Sequence, residues 1–500
     1  MKDIFKNLLV LDLANNHFGS VEHGNKVINT FGKIVRKEKL KATIKFQFRN
    51  LNTFIHQDFL NSDEKYVRRF MSTKLSIKDF QKLFINVKRN KLLTSCTPFD
   101  EDSVDLIEKM KFDIIKVASV SSMDFNLLER VTNNKIPKII STGGKSLSDI
   151  DKIVSFFRKK KQNFAIMHCI AIYPSNNEHL QISFIRELKE RYRDIEIGWS
   201  THEGPNEHLP ACLAYACGAR IFEKHIGINS SKYGLNNYSI TPKLFEEWLK
   251  YFKNSIEILG TKNKKIEKKE INTLQSLQRG LYAKRNIKKG EILNNKNSYL
   301  AFPLQKNQLS AADFKKNTLV KKIIKKNTLI KKTDVKFDVS LLNEYKLKSY
   351  IHELKAILNY NKIFIGENFD MEVSHHEGLD QFRKTGCFLF NIINKSYAKK
   401  MLVMLPNQSH PLHFHKKKDE SFHVISGSLI SNLNGKNKIL YPGEILHIKK
   451  NSWHKFKAGS SGCIFDEIST TSYSNDSFYK DKKIKKMTRD NRKTYIKKWI

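Results

Sequence analysis

The sequence predicts an α/β fold: a (β/α)8 barrel, then a small β-rich unit, then a mostly β third unit. Three observations carry this. Five hundred residues, at the usual ~100–200 per domain, correspond to about three domains. From residue 8 to about 230, eight short runs rich in β-branched residues alternate with stretches of helical period. Further on, strand-like segments are punctuated by turn residues at Gly427, Asn434-Gly435 and Pro442-Gly443. An open doubly wound sheet is the alternative for the first part, but no glycine-rich dinucleotide loop follows the first run.

The eight runs are Leu8–Ala14, Ala42–Phe48, Leu92–Thr97, Ile114–Ser119, Lys138–Thr142, Phe164–Cys169, Ile195–Ser200 and Ala219–His225. Amphipathic pieces such as Asp100–Met110 and Leu147–Lys159 lie between them. Eight strand–helix pairs in about 240 residues is the arithmetic of a barrel, here over residues 1–260. Ile256–Ile271 reads as a charged helix or linker. The second unit, residues 275–337, opens at Leu281–Ala283 and has a strand over Asn286–Ile292 turning at Lys288-Lys289-Gly290. Its Lys/Ile alternation over Thr318–Ile330 contains an internal echo, Leu319-Val320-Lys321-Lys322-Ile323 against Leu329-Ile330-Lys331-Lys332. So short a unit has a marginal core. Residues 345–475 form the third unit, and 476–500 a basic tail, frayed or helical from Lys482.

Ninety Lys and Arg against fifty Asp and Glu give a formal charge of +40. An RNA- or membrane-surface-binding protein driven by that charge is one reading. Lysine dominates, however, Asn and Ile are abundant, and the basic residues spread along the whole chain, as solvated faces do. No specific nucleic acid is therefore expected, although the charge would attract anionic small substrates. No apolar run approaches the ~20 residues that cross a bilayer, so no membrane partner is expected either. Leu8–Leu11 is interrupted at once by Asp12 and lacks a small-residue cleavage site, which argues against a signal peptide. The six cysteines are scattered without a CxxC pair, as free thiols of a cytoplasmic protein are.

In such a barrel the catalytic groups sit at the C-terminal ends of the strands. Those ends read Asp12 to His17; Lys45-Phe46-Gln47; Thr97-Pro98; Lys116 to Ser119; Ser141 to Gly144; His168-Cys169 with Tyr173 beyond; Ser200-Thr201-His202; and Glu223-Lys224-His225. Two lysines and several hydroxyls at one mouth would cradle phosphate and carboxylate. Burying an unpaired ammonium is costly, so Lys45 and Lys116 read as functional. Thr97, Ser119, Ser141 and Ser200 are equally ordinary turn residues. His202 and His225, on neighbouring strands with a carboxylate, suit Mn²⁺, Zn²⁺ or a similar ion. His168 lies within its strand and reads as support.

The segments NNHFGS, TIKFQF, SCTPFD, IIKVAS, IISTGG, HCIAIYP, IGWSTHEG and FEKHIG resemble, in order, the strand-end motifs of the sialic acid (nonulosonic acid) synthase family over roughly residues 8–250. Arg279–Val335, with RGLYAKRNIKKGEIL, resembles the antifreeze-like SAF domain, a β-clip, that follows the barrel there. The resemblance implies a transferase that joins phosphoenolpyruvate to an N-acylated aldose, giving a nine-carbon 2-keto acid and phosphate. It implies that Lys45, Thr97, Lys116, Ser119, Ser141 and Ser200 hold phosphoenolpyruvate, with Gln47 and Tyr173 completing the substrate set. It implies that His202 and His225 ligate Mn²⁺ or Mg²⁺, a Lewis acid for the sugar aldehyde. Asp12, Glu223 and Lys116 are the catalytic candidates, the two acids for proton handling or for orienting water. A homodimer is implied, with each SAF domain capping the partner's site.

Departures from the family pattern fall unevenly. Asp12 stands where the family has Glu, and Ala171 where it has Asn. The acidic residue of the sugar site is expected near Gly234-Leu235-Asn236-Asn237, where only Asn occurs. The SAF arginine is expected near Ala301-Phe302-Pro303, where Phe302 occurs. The phosphoenolpyruvate end is largely kept and the sugar end rewritten, so an aldose other than N-acetylmannosamine, one lacking the acetamido group, is expected.

A second constellation runs from His410-Pro411-Leu412-His413-Phe414-His415 through Glu420, Gly427 and Pro442-Gly443 to Trp453-His454. His-x-His on a strand places both imidazoles on one face. His413, His415, Glu420 and His454 make a ligand set with open positions for a divalent metal. The spacing resembles the two cupin motifs, a β-barrel domain, and HPLHFHKKKDESFHVISG resembles sugar-isomerase cupins, including lyxose isomerases. Three readings stay open: a structural metal, a sugar-binding domain, or an isomerase or epimerase, the last two also compatible with a degenerate barrel. Lys418 belongs to catalysis or to a solvated Lys416–Lys418 run. His423 and His447 read as strand-face residues, His375-His376 as loop.

Overall fold

Eight parallel strands close into a barrel in the order of the chain. They are β1 (Leu8–Asp12), β2 (Lys41–Phe48), β3 (Leu93–Pro98), β4 (Ile114–Val117), β5 (Lys138–Ser141), β6 (Phe164–Cys169), β7 (Ile197–Ser200) and β8 (Ile221–His225). This computed structural model describes residues 4–200, 202–261, 264–366 and 369–497. Thr201 and the last three residues of the basic tail lie outside them. Met1–Lys264 and Lys265–Ile500 are two compact units.

Strand parity decides which side chains reach the lumen. Leu9, Leu11, Ile44, Phe46, Ile115 and Val117 point outward and pack under the helices. Leu8, Val10, Ile114, Ile139, Met167 and Ile221 point inward and fill the lower lumen with apolar atoms. Two residues further along the same strands, the inward positions are Asp12, Lys116, Ser141, Cys169 and Glu223. The apolar plug thus sets a polar layer directly above it. The covering helices are capped as their sequences require: Ser20, Ser76 and Ser146 each accept a backbone N–H in the first turn of helices Val21–Lys37, Ile77–Arg89 and Leu147–Lys159.

The second unit begins with β9 (Gly280–Ala283), β10 (Ser298–Ala301), β11 (Leu319–Val320) and β12 (Val335–Lys336), paired β9 with β10 and β11 with β12. Leu281, Ile287, Leu309, Val320, Ile324 and Ile330 form its small core. The strand expected over Asn286–Ile292 is reduced to single bridges, Ile287 to Ile324 and Ile292 to Leu319. The expected turn is present, with Gly290 at φ +87°.

After helix Val339–Tyr360 comes an antiparallel sheet of β13 (Met371–Ser374), β14 (Cys387–Asn394), β15 (Tyr397–Met404), β16 (Ser409–Phe414) and β17 (Glu420–Leu433). It continues through β18 (Lys436–Leu440), β19 (Ile445–Ile448), β20 (His454–Thr470), β21 (Phe478–Tyr479) and β22 (Lys493–Ile496). The long path is β18-β17-β20-β15-β14-β13-β22, with β16 on β20 and β21, and β19 on β17. The tail is thus not simply frayed or helical. After a short helix, Lys482–Lys486, β22 pairs with β13. Its pairing is held by Glu372, which meets both Lys493 and Arg489.

All six cysteines are free. Among the described residues no helix is long and apolar enough to cross a membrane.

Candidate functional site

The polar layer of the barrel is a buried ion cluster. Lys45 Nζ lies 2.9 Å from Asp12 Oδ2 and 2.5 Å from Glu223 Oε1. Lys116 Nζ lies 2.5 Å from Ser141 Oγ and 3.5 Å from Glu223 Oε2. Burial works against the Lys45 ammonium, but Asp12 and Glu223 outweigh it and raise its pKa above the usual lysine value. Lys116 moves the other way: burial lowers it, Glu223 offsets only part, and the Lys45 charge lowers it further. The site therefore holds one firmly protonated ammonium beside a second that is easier to deprotonate.

His202 and His225 stand above this cluster with ring centroids 5.2 Å apart. The His202 Nδ1 faces the Ile170 carbonyl at 3.0 Å, which fixes the ring's orientation. Burial, then the neighbouring His225, lowers His202 to about 3, so it is a neutral imidazole at pH 7. His225 Nε2 is 3.4 Å from Asp12 Oδ2, and its buried Nδ1 makes no hydrogen bond. Tyr173 and Tyr238 complete an aromatic box, their rings 3.9 Å and 5.5 Å from that of His202.

The remaining expected residues separate. Buried Thr97 has a hydroxyl without a hydrogen bond, a polar atom open to a ligand at the mouth. Ser200 is buried, and Ser119 accepts the Gly143 N–H at 2.9 Å. Gln47 accepts from Arg49 at 3.1 Å and lines a cavity of about 340 Å³ with Arg49, Asn15, His17 and Phe70. That cavity lies beside the ion cluster: of the expected site residues only Gln47 lines it. His168 points outward, its Nε2 3.0 Å from the Leu180 carbonyl and its ring against Phe184.

In the second unit His413, His415, Glu420 and His454 are all buried, with one ligand atom of each within 4.8 Å of the others. Each imidazole turns Nδ1 to a backbone carbonyl: Pro411 at 2.9 Å, Asp476, and Ser452 at 3.0 Å. Those partners fix the proton on Nδ1 and leave three Nε2 lone pairs facing Glu420. Burial, ahead of the neighbouring histidines, keeps His413 well below the usual imidazole pKa. His454 Nε2 and Glu420 Oε1 are 2.8 Å apart and neither makes a hydrogen bond. Neutral imidazoles and an ionised carboxylate are the donor set a divalent cation requires, so the residues fit a metal. Among the described residues this is the one such group of three or more; the barrel histidines and Asp12 do not form another.

Comparison with known proteins agrees with this division. A crystal structure described as a spore coat polysaccharide biosynthesis protein E of Chromobacterium violaceum is 39% identical, covering 66% of this chain and 100% of that one, with a TM-score of 0.63. Residues 37–264 match the NeuB family. The chain belongs to the NeuB family. An uncharacterized protein of Methanocaldococcus jannaschii is 28% identical over 284 residues, 56% of this chain and 80% of its own. The N,N'-diacetyllegionaminic acid synthase of Campylobacter jejuni is 24% identical over 300 residues, 58% of this chain and 89% of its own. Residues 400–464 match the cupin domain.

The NeuB-family barrel also holds residues to which strand-end reading gave no role. Arg49 is clamped between Phe70 and Phe99, 4.1 and 3.7 Å from the ring centres. Lys224 forms a buried pair with Glu203 at 2.5 Å, tying the β7 loop to β8. Tyr238 follows the two Asn residues that replace the expected acid, and no periodicity marks it. In the cupin, Lys418 is not solvated: it is buried, 2.6 Å from Glu420 and 2.7 Å from Glu467. Burial works against its ammonium, but Glu467 and Glu420 outweigh it and hold it protonated. His375 and His376 do lie in a turn, yet both are buried, with His376 Nε2 3.1 Å from His410 Nε2.

Proposed function

We propose that this chain condenses phosphoenolpyruvate with an aldose, giving a 2-keto sugar acid and phosphate for polysaccharide biosynthesis in the cytoplasm. The Lys45–Glu223–Lys116 cluster carries the reading. Two buried ammoniums share Glu223 above an apolar floor, with Asp12 also on Lys45, and their N–H groups are the donors a phosphate and a carboxylate would take. In this reading Lys45, Lys116, Ser141, Ser119, Thr97 and Ser200 bind the donor, with Gln47 and Tyr173 toward the acceptor. His202 and His225 would hold a divalent ion, Mn²⁺ or Mg²⁺, which supplies Lewis-acid polarisation of the aldehyde when bound. The donor's methylene carbon attacks the aldehyde carbon. Water adds at the donor's C2, the C–O bond to phosphate breaks, and one proton of that water ends on the former aldehyde oxygen as its hydroxyl. Asp12 and Glu223 are the candidates to orient that water or take its proton.

The similar Campylobacter protein is named for a diacetylated acid. Here Asn236 uses its side chain to accept the Tyr238 N–H at 3.1 Å, and Ala171 is exposed. The first observation supports an acceptor recognised otherwise than through an acetamido group; the second bears on the phosphoenolpyruvate end. In the same reading, residues 275–337 form an SAF domain that caps the partner's barrel in a homodimer, with exposed Phe302 in place of the arginine.

The test is phosphate release by the full chain with Mn²⁺, phosphoenolpyruvate and a panel of aldoses with and without the acetamido group. Release with any aldose that vanishes in Lys116→Ala supports the condensation. Highest kcat/KM with N-acetylmannosamine would overturn the acceptor assignment. Absence of phosphoenolpyruvate-specific stabilisation would overturn the donor.

A further inference from the structure

We propose that the cupin binds a small molecule carrying one anionic group and several hydroxyls, in a cavity of about 280 Å³ beside its metal-ligand set. That volume is at the small end of ligand sites, roughly 300–1,000 Å³. His415 and Lys418 both line it, so a bound molecule meets one metal ligand and the ammonium that holds another, Glu420.

The charge of the wall defines the ligand. Lys400, Lys418, Arg489 and Lys493 line the cavity together with the carboxylates of Glu372 and Asp476. Glu372 is divided between Lys493 and Arg489, 3.2 Å away in the second case. Glu467 is divided between Lys418 at 2.7 Å and Lys400 at 3.2 Å. Asp476 accepts the backbone N–H groups of Lys416 and Lys417, each at 3.0 Å. Four cations and two carboxylates line the cavity, whereas Glu467 and Glu420 meet Lys400 and Lys418 without lining it, so positive side chains outnumber negative ones on the wall itself. Asn391, Ser474 and Ser477 add neutral polar atoms to the lining, whereas Leu389 is its one aliphatic side chain. Hydroxyls match such a wall; an alkyl chain does not.

Two of the four cations arrive from the tail. The Lys493 side chain is only 13% exposed and Arg489 is 37% exposed, which puts the guanidinium toward the rim. The pairing of β22 with β13 is what brings them there.

The experiment is titration calorimetry on the full chain with Mn²⁺, using gluconate, glucose 6-phosphate and neutral sorbitol as probes. Binding of an anionic probe at least about tenfold tighter than sorbitol is expected. Gluconate ahead of glucose 6-phosphate assigns the anion as a carboxylate, and the reverse as a phosphate. Asn391→Leu fills the cavity without touching an ion pair, and Arg489→Gln removes a rim charge; each should weaken binding about tenfold, with Arg489→Lys restoring part. No binding, equal binding of sorbitol, or unchanged binding in both variants would overturn the assignment. Stabilisation by phosphoenolpyruvate, read on the same samples, should be unaffected. The cupin assignment and the barrel reading therefore fail separately.

Discussion

Glu223 of β8 is shared between two lysines on other strands, its Oε1 2.5 Å from Lys45 and its Oε2 3.5 Å from Lys116. One carboxylate thereby holds two buried ammoniums across the lumen. Replacing it leaves Lys116 without its carboxylate and Lys45 with Asp12 alone, and breaking a buried pair costs about 3–5 kcal/mol. Glu223→Gln should therefore unfold at lower temperature, and phosphoenolpyruvate should restore more of the loss than it adds to the unaltered chain. Thermal unfolding with and without the ligand reads this; equal shifts in both proteins would remove the shared-charge account.

Lys418 makes the same kind of prediction in the cupin. Lys418→Met leaves Glu420 and Glu467 buried without their common cation, at a cost of about 3–5 kcal/mol. Lys418→Arg, which keeps the charge, should lose much less. Urea unfolding followed by tryptophan fluorescence compares the two, and equal losses would mean that volume, not charge, matters there.

Metal content separates the two histidine sets. Elemental analysis after dialysis against Mn²⁺ or Zn²⁺ should show one tightly held ion lost in His413→Ala. It should be retained in His202→Ala, because among the described residues only the cupin set gathers four ligand atoms within 4.8 Å. Chelation should lower the cupin's melting temperature, since an ion bound only by the folded state stabilises it. Retention of all metal by His413→Ala would place the ion elsewhere.

Acid sensitivity should trace partly to His17. Burial, then the neighbouring His23, lowers it to about 4, and its Nδ1 accepts the Gly19 N–H, which requires the neutral ring. The unfolded chain binds this proton near pH 6.5 and the folded chain only near pH 4. Stability present above pH 6.5 is therefore lost as pH falls through that window, by about 3 kcal/mol. His17→Asn keeps an acceptor for Gly19 without the titration. Its barrel should lose correspondingly less stability between pH 6.5 and 4, and an unchanged slope would reject the assignment.

Parity explains what the sequence disclosed. Lys45 and Lys116 were legible because each interrupts an apolar strand at an inward position near its C-terminal end. Lys138 also sits in an apolar strand but starts it and points outward, where Asn134 and Gln162 hold its ammonium at 2.7 and 2.6 Å. A buried lysine alone is thus no mark of a site; its place along the strand is. The cupin ligands were legible because three of the four lie within eight residues of one another. Lys418 was not, since its burial depends on Glu467, 49 residues on. The tail was misread because four residues of alternating polarity carry little signal until β13 offers them an edge.

That edge has a consequence for synthesis. Glu372 waits for a partner 121 residues later in the chain. At about 5–20 residues per second, a ribosome needs roughly 6–24 s to make that stretch. Throughout that interval one side of β13 presents unpaired amides and carbonyls, the kind of template on which neighbouring nascent chains pair wrongly. Yield of native protein should therefore depend on how fast translation closes the interval and how crowded the polysomes are, more than on the stability of the finished sheet.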